Sequence, residues 1–190
     1  MKRLSLLVAL VATFAFSSVA LAAPDRAYAP GHNKVICEAD GNATATQRGA
    51  KGCALSVGAG GAAFAYLSPA SAWDQTLGSI TALSFAYSGS DPTGGSPRFS
   101  LQIDEDGAGA LAPTDYAFVD ALGCNNGAGL VDVINDPTCT IWYKNVSYPN
   151  WAAFAAAYPD ATLYFAFVVV DQPGDYAINN VTIGKAGARK

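Results

Sequence analysis

An all-β fold, an antiparallel sandwich of jelly-roll type with eight or nine strands and one short helix, is what this sequence predicts. Three observations predict it. Leu83, Phe85 and Tyr87 alternate with Ser84, Ala86 and Ser88, and Phe99, Leu101 and Ile103 alternate with Arg98, Ser100 and Gln102. A period of two gives a strand one buried and one wet face, the mark of an antiparallel sheet. Turn-forming clusters such as Gly89-Ser90-Asp91-Pro92-Thr93-Gly94-Gly95 separate the apolar runs. Only one stretch, starting at Trp151, has helical spacing, and no internal repeat is present.

Taken in order, residues 34–37 are a short apolar strand and residues 40–52 a polar loop. Residues 53–67 alternate loosely around a glycine break at 58–61, which predicts two short strands or one with a bulge. Residues 116–122 and 138–143 are further strands. Trp151, Phe154, Ala155 and Tyr158 recur at helical spacing, with Asn150 placed to cap the start and Pro159 to end it. Residues 163–170, LYFAFVVV, are apolar on both faces, so this strand is central and its second face is covered, the preceding helix being the nearest cover. Phe165 and Phe167 are expected to point together into the space between the sheets. Pro173-Gly174 then fits a turn that reverses the chain into a last strand over 176–183, making a C-terminal hairpin. The inward pattern slips at Asn179-Asn180, which predicts a bulge.

The first residues predict export. Met1-Lys2-Arg3 is cationic, residues 4–16 are almost wholly apolar, and Ala20 and Ala22 are small at the two positions that a signal peptidase reads. The expected organisation is a signal peptide over 1–22, an extended lead over 23–33, one β-domain over 34–184 and a polar tail over 185–190. The apolar run is shorter than the ~20 residues of a spanning helix, so no membrane anchor is expected. Without Lys2 and Arg3 the chain keeps nine basic against fifteen acidic residues, a net charge of −6. That balance argues against nucleic acid and against anionic membrane surfaces as partners. The expected location is extracellular, or periplasmic where the host has an outer membrane.

Cys37, Cys53, Cys124 and Cys139 are an even set in an exported chain, which reads as two disulfides. Of the three possible pairings, Cys37–Cys53 and Cys124–Cys139 are favoured because each closes a loop rich in Gly, Asn and Asp. Metal binding by cysteine wants clustered ligands, and these four are widely spaced.

A histidine-based nucleophile fails on inventory, since the only histidine, His32, lies in the lead. Paired carboxylates are the alternative catalytic set. Glu38 and Glu105 are the two glutamates, and Asp104-Glu105-Asp106-Gly107 is the one acidic cluster. It reads as a turn or as a weak calcium site built on Asp104 and Asp106, because hard cations collect carboxylate oxygens. No other cofactor is expected. Asp132, Asn135 and Asp136 form a second turn-like set. The aromatics Trp73, Trp142, Tyr143, Tyr148 and Trp151 offer either core or a flat platform on which sugar rings stack. Arg98, Ser100 and Gln102 offer either a wet strand face or hydrogen-bonding tips for a polyhydroxyl ligand. Asn-x-Ser/Thr triplets begin at Asn42, Asn145 and Asn180, acceptor sites only in a eukaryotic secretory chain.

Four stretches carry a resemblance: Leu83-Ser84-Phe85, Gly94-Gly95-Ser96-Pro97-Arg98-Phe99, Asn150-Trp151 and Ile178-Asn179-Asn180-Val181. Over residues 77–184 the chain resembles a loose group of uncharacterised secreted bacterial proteins with jelly-roll or carbohydrate-binding-module-like folds. The resemblance implies the fold more than the activity. The expectation is a secreted, non-enzymatic sandwich that binds an extracellular or cell-wall glycan, with Arg98, Gln102, Trp142, Tyr148 and Trp151 as ligand-binding residues. The alternatives are a structural extracellular or envelope domain, and a carboxylate-based glycan hydrolase or lyase using Glu105 or Asp106.

Overall fold

Residues 34–68, 75–107, 115–124 and 129–184 are described by a computed structural model. They form thirteen strands, several only two or three residues long, one seven-residue α-helix and one 3-10 turn. The larger sheet holds β1 (Lys34–Asp40), β4 (Ala62–Ser68), β12 (Thr162–Val170), β7 (Arg98–Asp104), β8 (Tyr116–Asp120), β10 (Ile141–Tyr143) and β11 (Val146–Tyr148) in that spatial order, with β5 (Gln75–Thr76) paired to β12. The smaller sheet runs β2 (Ala43–Arg48), β3 (Gly52–Val57), β13 (Gly174–Gly184), β6 (Ala82–Gly89), β9 (Leu130–Asp132). Every pairing is antiparallel. The all-β sandwich is as predicted.

The core lies between the sheets. The larger sheet contributes Phe99, Leu101, Ile103, Val168 and Val170, and the smaller one Leu55, Leu83, Phe85, Ile178 and Ile183, all nearly or fully buried. Phe99 meets Phe85 edge to face across the gap, ring centroids 4.9 Å apart. The Cys37–Cys53 disulfide joins β1 of one sheet to β3 of the other, and Cys124–Cys139 ties the segment after β8 to the one before β10. Both pairings are the local ones.

The helix α1 (Trp151–Ala157) starts where the Asn150 side chain accepts the Ala153 N–H at 2.9 Å, satisfying one of the amide donors that a helix start leaves open. It packs against the turn Leu77–Ser79 and against β11. It does not lie over the outer face of β12, as the sequence reading had it.

Three other expectations are corrected. Residues 40–52 are not simply a loop, because Ala43 and Ala45 turn a half-buried side inward while Thr44 and Thr46 face water, and that alternation makes β2. β12 and β13 do not form a hairpin: Pro173-Gly174 carries the chain from the larger sheet to the smaller one. Phe165 and Phe167 do not point inward. A register shift between Leu163 and Phe165 inserts one residue into β12. Leu163 stays inside opposite Ile103, after which Ala166, Val168 and Val170 face the core and Phe165, Phe167 and Val169 face out. The bulge expected at Asn179-Asn180 is present: the β13–β6 register shifts between Asn179 and Thr182, and Asn180 has φ of 50°.

Candidate functional site

The outward phase of β12 builds an aromatic layer on the larger sheet. Phe167 lies opposite Tyr66 on β4 and Ser100 on β7, Ser100 lies opposite Phe118 on β8, and Phe118 lies opposite Trp142 on β10. One continuous row therefore crosses five strands: Tyr66, Phe167, Ser100, Phe118, Trp142. A neighbouring row runs Phe165, Gln102, Tyr116, and on the other side lie Phe64, Val169, Arg98 and Asp120.

Side chains in adjacent rows touch. Tyr66 meets Phe165 at 5.6 Å, Phe64 meets Phe167 at 5.9 Å, and Tyr116 meets Phe167 at 6.4 Å between ring centroids. The Tyr116 and Phe118 rings are within 12° of parallel. Val169, although on the outer face, is only 4% exposed, so this layer is itself packed. Its far side remains open to water, with Phe118 39% and Trp142 49% exposed.

The polar groups of the face are held in place. The Arg98 guanidinium donates two hydrogen bonds to the Asp171 carboxylate, at 2.9 and 2.6 Å, and lies 5.6 Å from the Phe118 ring centroid. Such a fork-to-carboxylate pair is geometrically specific, and here it is set just beyond the end of β12. The Tyr66 hydroxyl donates to Glu38 Oε1 at 2.7 Å. Gln102 stands between Phe165 and Tyr116.

Of the five ligand-binding residues read from sequence, the face brings together Arg98, Gln102 and Trp142. The other two are corrected. Trp151 is 5% exposed and its indole N–H donates to the Leu77 carbonyl at 3.2 Å, so it is core. Tyr148 pairs with the inward-facing Ile141, is half-buried and shares a 3.0 Å hydrogen bond with Tyr158. These two pack with Tyr143, Phe154 and Tyr158 in a second aromatic cluster around α1. Trp73 and His32 lie outside the described residues. Phe64, Tyr66, Tyr116, Phe118, Phe165 and Phe167 are the face residues that sequence reasoning missed.

The acidic candidates are dispersed. Asp104 is buried, Asp106 is exposed, and Glu105 forms a 2.7 Å ion pair with Lys144, which also lies 3.5 Å from Asp115. Asp132 accepts from the Asn135 backbone and side-chain amides, and Asp136 accepts from Thr138, which is turn chemistry. Among the described residues no three His, Cys, Asp or Glu side chains come together as a metal site, and no helix is long and apolar enough to cross a membrane.

Five phenols are pushed above their ordinary 10.0, Tyr116 by burial and Tyr176 by burial, then Asp171 and Asp91. Burial, then the Glu38 hydrogen bond and charge, raise Tyr66. Burial, then the nearby Glu105 and Asp115, raise Tyr143. The hydrogen bond with Tyr148, then burial, push Tyr158 up to about 12. A raised folded-state pKa means that the neutral form is favoured by the fold. Its contribution is complete below the unfolded value near 10 and is lost as pH rises through the raised values. Alkaline titration of the phenolate absorbance is therefore expected to show a late group of tyrosines that ionise together with loss of the β-sheet circular dichroism. Complete, reversible ionisation near pH 10 with the fold intact would contradict these environments.

No family model matches the chain, and no curated protein or solved structure matches it either.

Proposed function

We propose that this chain is a secreted, non-enzymatic β-sandwich that binds a glycan through the outer face of its larger sheet. The observation that carries the reading is the row of Tyr66, Phe167, Ser100, Phe118 and Trp142 across five strands, its Phe118 and Trp142 end open to water, with Arg98 and Gln102 set among the rings. Sugar rings present apolar C–H faces that stack on aromatics, and hydroxyls that hydrogen-bond to planar amide groups such as that of Gln102. A face that combines the two, on strands rather than loops, is rigid before the ligand arrives. The two disulfides support the secreted location, because such bonds persist in oxidising compartments, as does the leader expected over residues 1–22. The resemblance to carbohydrate-binding-module-like secreted bacterial proteins points the same way.

A glycan array followed by isothermal titration tests the reading. Trp142→Ala is expected to weaken binding about 10-fold or more, because burying a large apolar side chain is worth roughly 1.5–3 kcal/mol. Unfolding stability should change by less than ~0.5 kcal/mol, as for other exposed positions. If the wild-type protein binds no cell-wall or plant glycan, the reading fails and a structural envelope domain takes its place.

A further inference from the structure

We infer that the ligand of this face is a neutral, extended polysaccharide chain lying across the strands, and that the Arg98–Asp171 pair is what makes the face selective against acidic chains. The inference rests on the glycan reading above and adds the ligand's charge and form.

The row from Tyr66 to Trp142 crosses four inter-strand steps, about 19 Å at ~4.8 Å per step. That is longer than a disaccharide. A short ligand would cover one or two rings and leave the rest in water. The middle of the row is Ser100, small and 3% exposed, and Tyr116 in the next row bridges the gap, touching Phe167 on one side and lying nearly parallel to Phe118 on the other. A chain engages rings at both ends of this layer at once, and each later contact is made at high effective concentration once the first has formed.

Charge decides between classes of chain. Among the described residues three cations lie on or beside this face, and Lys144, two residues after Trp142, is taken by Glu105 at 2.7 Å and Asp115 at 3.5 Å. Arg98 has its fork occupied by the Asp171 carboxylate. Lys34 sits at the start of the edge strand β1, in a different row from the rings. Against them stand Glu38, beside Tyr66, and Asp120, opposite Arg98, as well as Asp171 itself. The chain as a whole is acidic, with a net charge of −4. A uronate or sulfate placed on the rings meets like charge with no open guanidinium to receive it, and unpaired like charges oppose binding. A neutral chain has no such cost.

The test is isothermal titration of the full protein with cello-, xylo- and manno-oligosaccharides of two, four and six units, and with polygalacturonic acid. At least one neutral series is expected to gain about 10-fold or more in affinity from dimer to hexamer, with polygalacturonic acid binding at least that much more weakly than the hexamer. Asp171→Asn, which releases Arg98, should strengthen binding of the acidic polymer and narrow the gap. A dimer that binds as tightly as its hexamer overturns the extended-chain inference. Polygalacturonic acid that matches the neutral hexamer overturns the charge inference. Either result leaves glycan binding itself standing, whereas failure to bind every glycan overturns both. The wild-type series alone decides the length and charge of the ligand, and an Asp171→Asn protein that folds yet leaves the gap between neutral and acidic chains unchanged overturns the role given to the Arg98–Asp171 pair.

Discussion

Phe99→Ala is expected to destabilise the domain by about 3–5 kcal/mol, the usual cost of truncating a fully buried ring and leaving a cavity. Phe99 is 0% exposed at the inner face of β7, in the middle of the larger sheet, and its ring meets Phe85 of the smaller sheet. Removing it empties the contact that holds the sheets face to face. A domain of ordinary stability has about 5–15 kcal/mol in all, so the variant sits near the edge of unfolding. Phe167→Ala is the paired control. Phe167 is half-buried on the outer face, where it touches Phe64, Phe165 and Tyr116, and it takes no part in the inter-sheet core. Its truncation is expected to cost roughly 1–2 kcal/mol, less than the transfer energy of a fully buried side chain because water already reaches the ring. Urea denaturation with an unchanged m-value measures both. Equal costs for the two variants would mean that the outer aromatic layer is as deeply packed as the core, and it could not then serve as an open binding face.

The contrast between these two phenylalanines is also where the sequence stops being legible. Strands with one polar face declare their phase, and Phe99, Leu101, Ile103, Leu83 and Phe85 lie inside as their alternation predicts. The Asn150 cap, the slip at Asn179-Asn180 and the pairing of cysteines close in sequence are likewise local events with local chemistry. Strand β12 has no polar face, so alternation cannot say which side is in, and the bulge that decides it falls at Tyr164, a residue with no turn signature. Aromatic rings carry the largest transfer energy and so read as core. The signal that they face outward lies in their neighbours. Ala63, Ala65, Ala117 and Ala166 are buried and small on the inner face of the larger sheet, where the side chains of the opposite sheet fill the space. Phe64, Tyr66, Tyr116 and Phe118 occupy the alternate positions, and strand geometry sends them to the other side. A strand with alanines on one phase and rings on the other is thus ambiguous until its partner sheet is known. Sheet membership is ambiguous for the same reason, because a Pro-Gly turn serves a hairpin and a crossover alike.

Replacing both Cys37 and Cys53 by Ala is expected to lower stability by roughly 3 kcal/mol, the loop-closure entropy that a bridge over 16 residues removes from the unfolded chain. For a domain of this size that is a fall of about 6–12 °C in Tm. The Cys124–Cys139 bridge spans 15 residues, so loop length gives it nearly the same value. The two differ in what each holds in the folded state. Cys37 lies on β1, an edge strand of the larger sheet paired on one side only, and Cys53 lies on β3 within the smaller sheet. That bond closes the margin of the sandwich where an edge strand would otherwise depend on β4 alone within its sheet. Cys124 and Cys139 lie outside the strands and tie two connecting segments. Hydrogen exchange therefore separates the variants where their Tm values do not. Without Cys37–Cys53, the amides of β1 that bond to β4 should exchange by local opening, well before the amides of β7 and β12 in the middle of the sheet. Without Cys124–Cys139, β1 should keep its protection relative to the global stability. The oxidised wild type should titrate no free thiol. Four free thiols in protein from an oxidising compartment, or an edge strand β1 whose exchange is indifferent to the loss of Cys37–Cys53, would show that the margin is held by its side-chain packing, with Val35 buried beneath it, and not by the covalent bond.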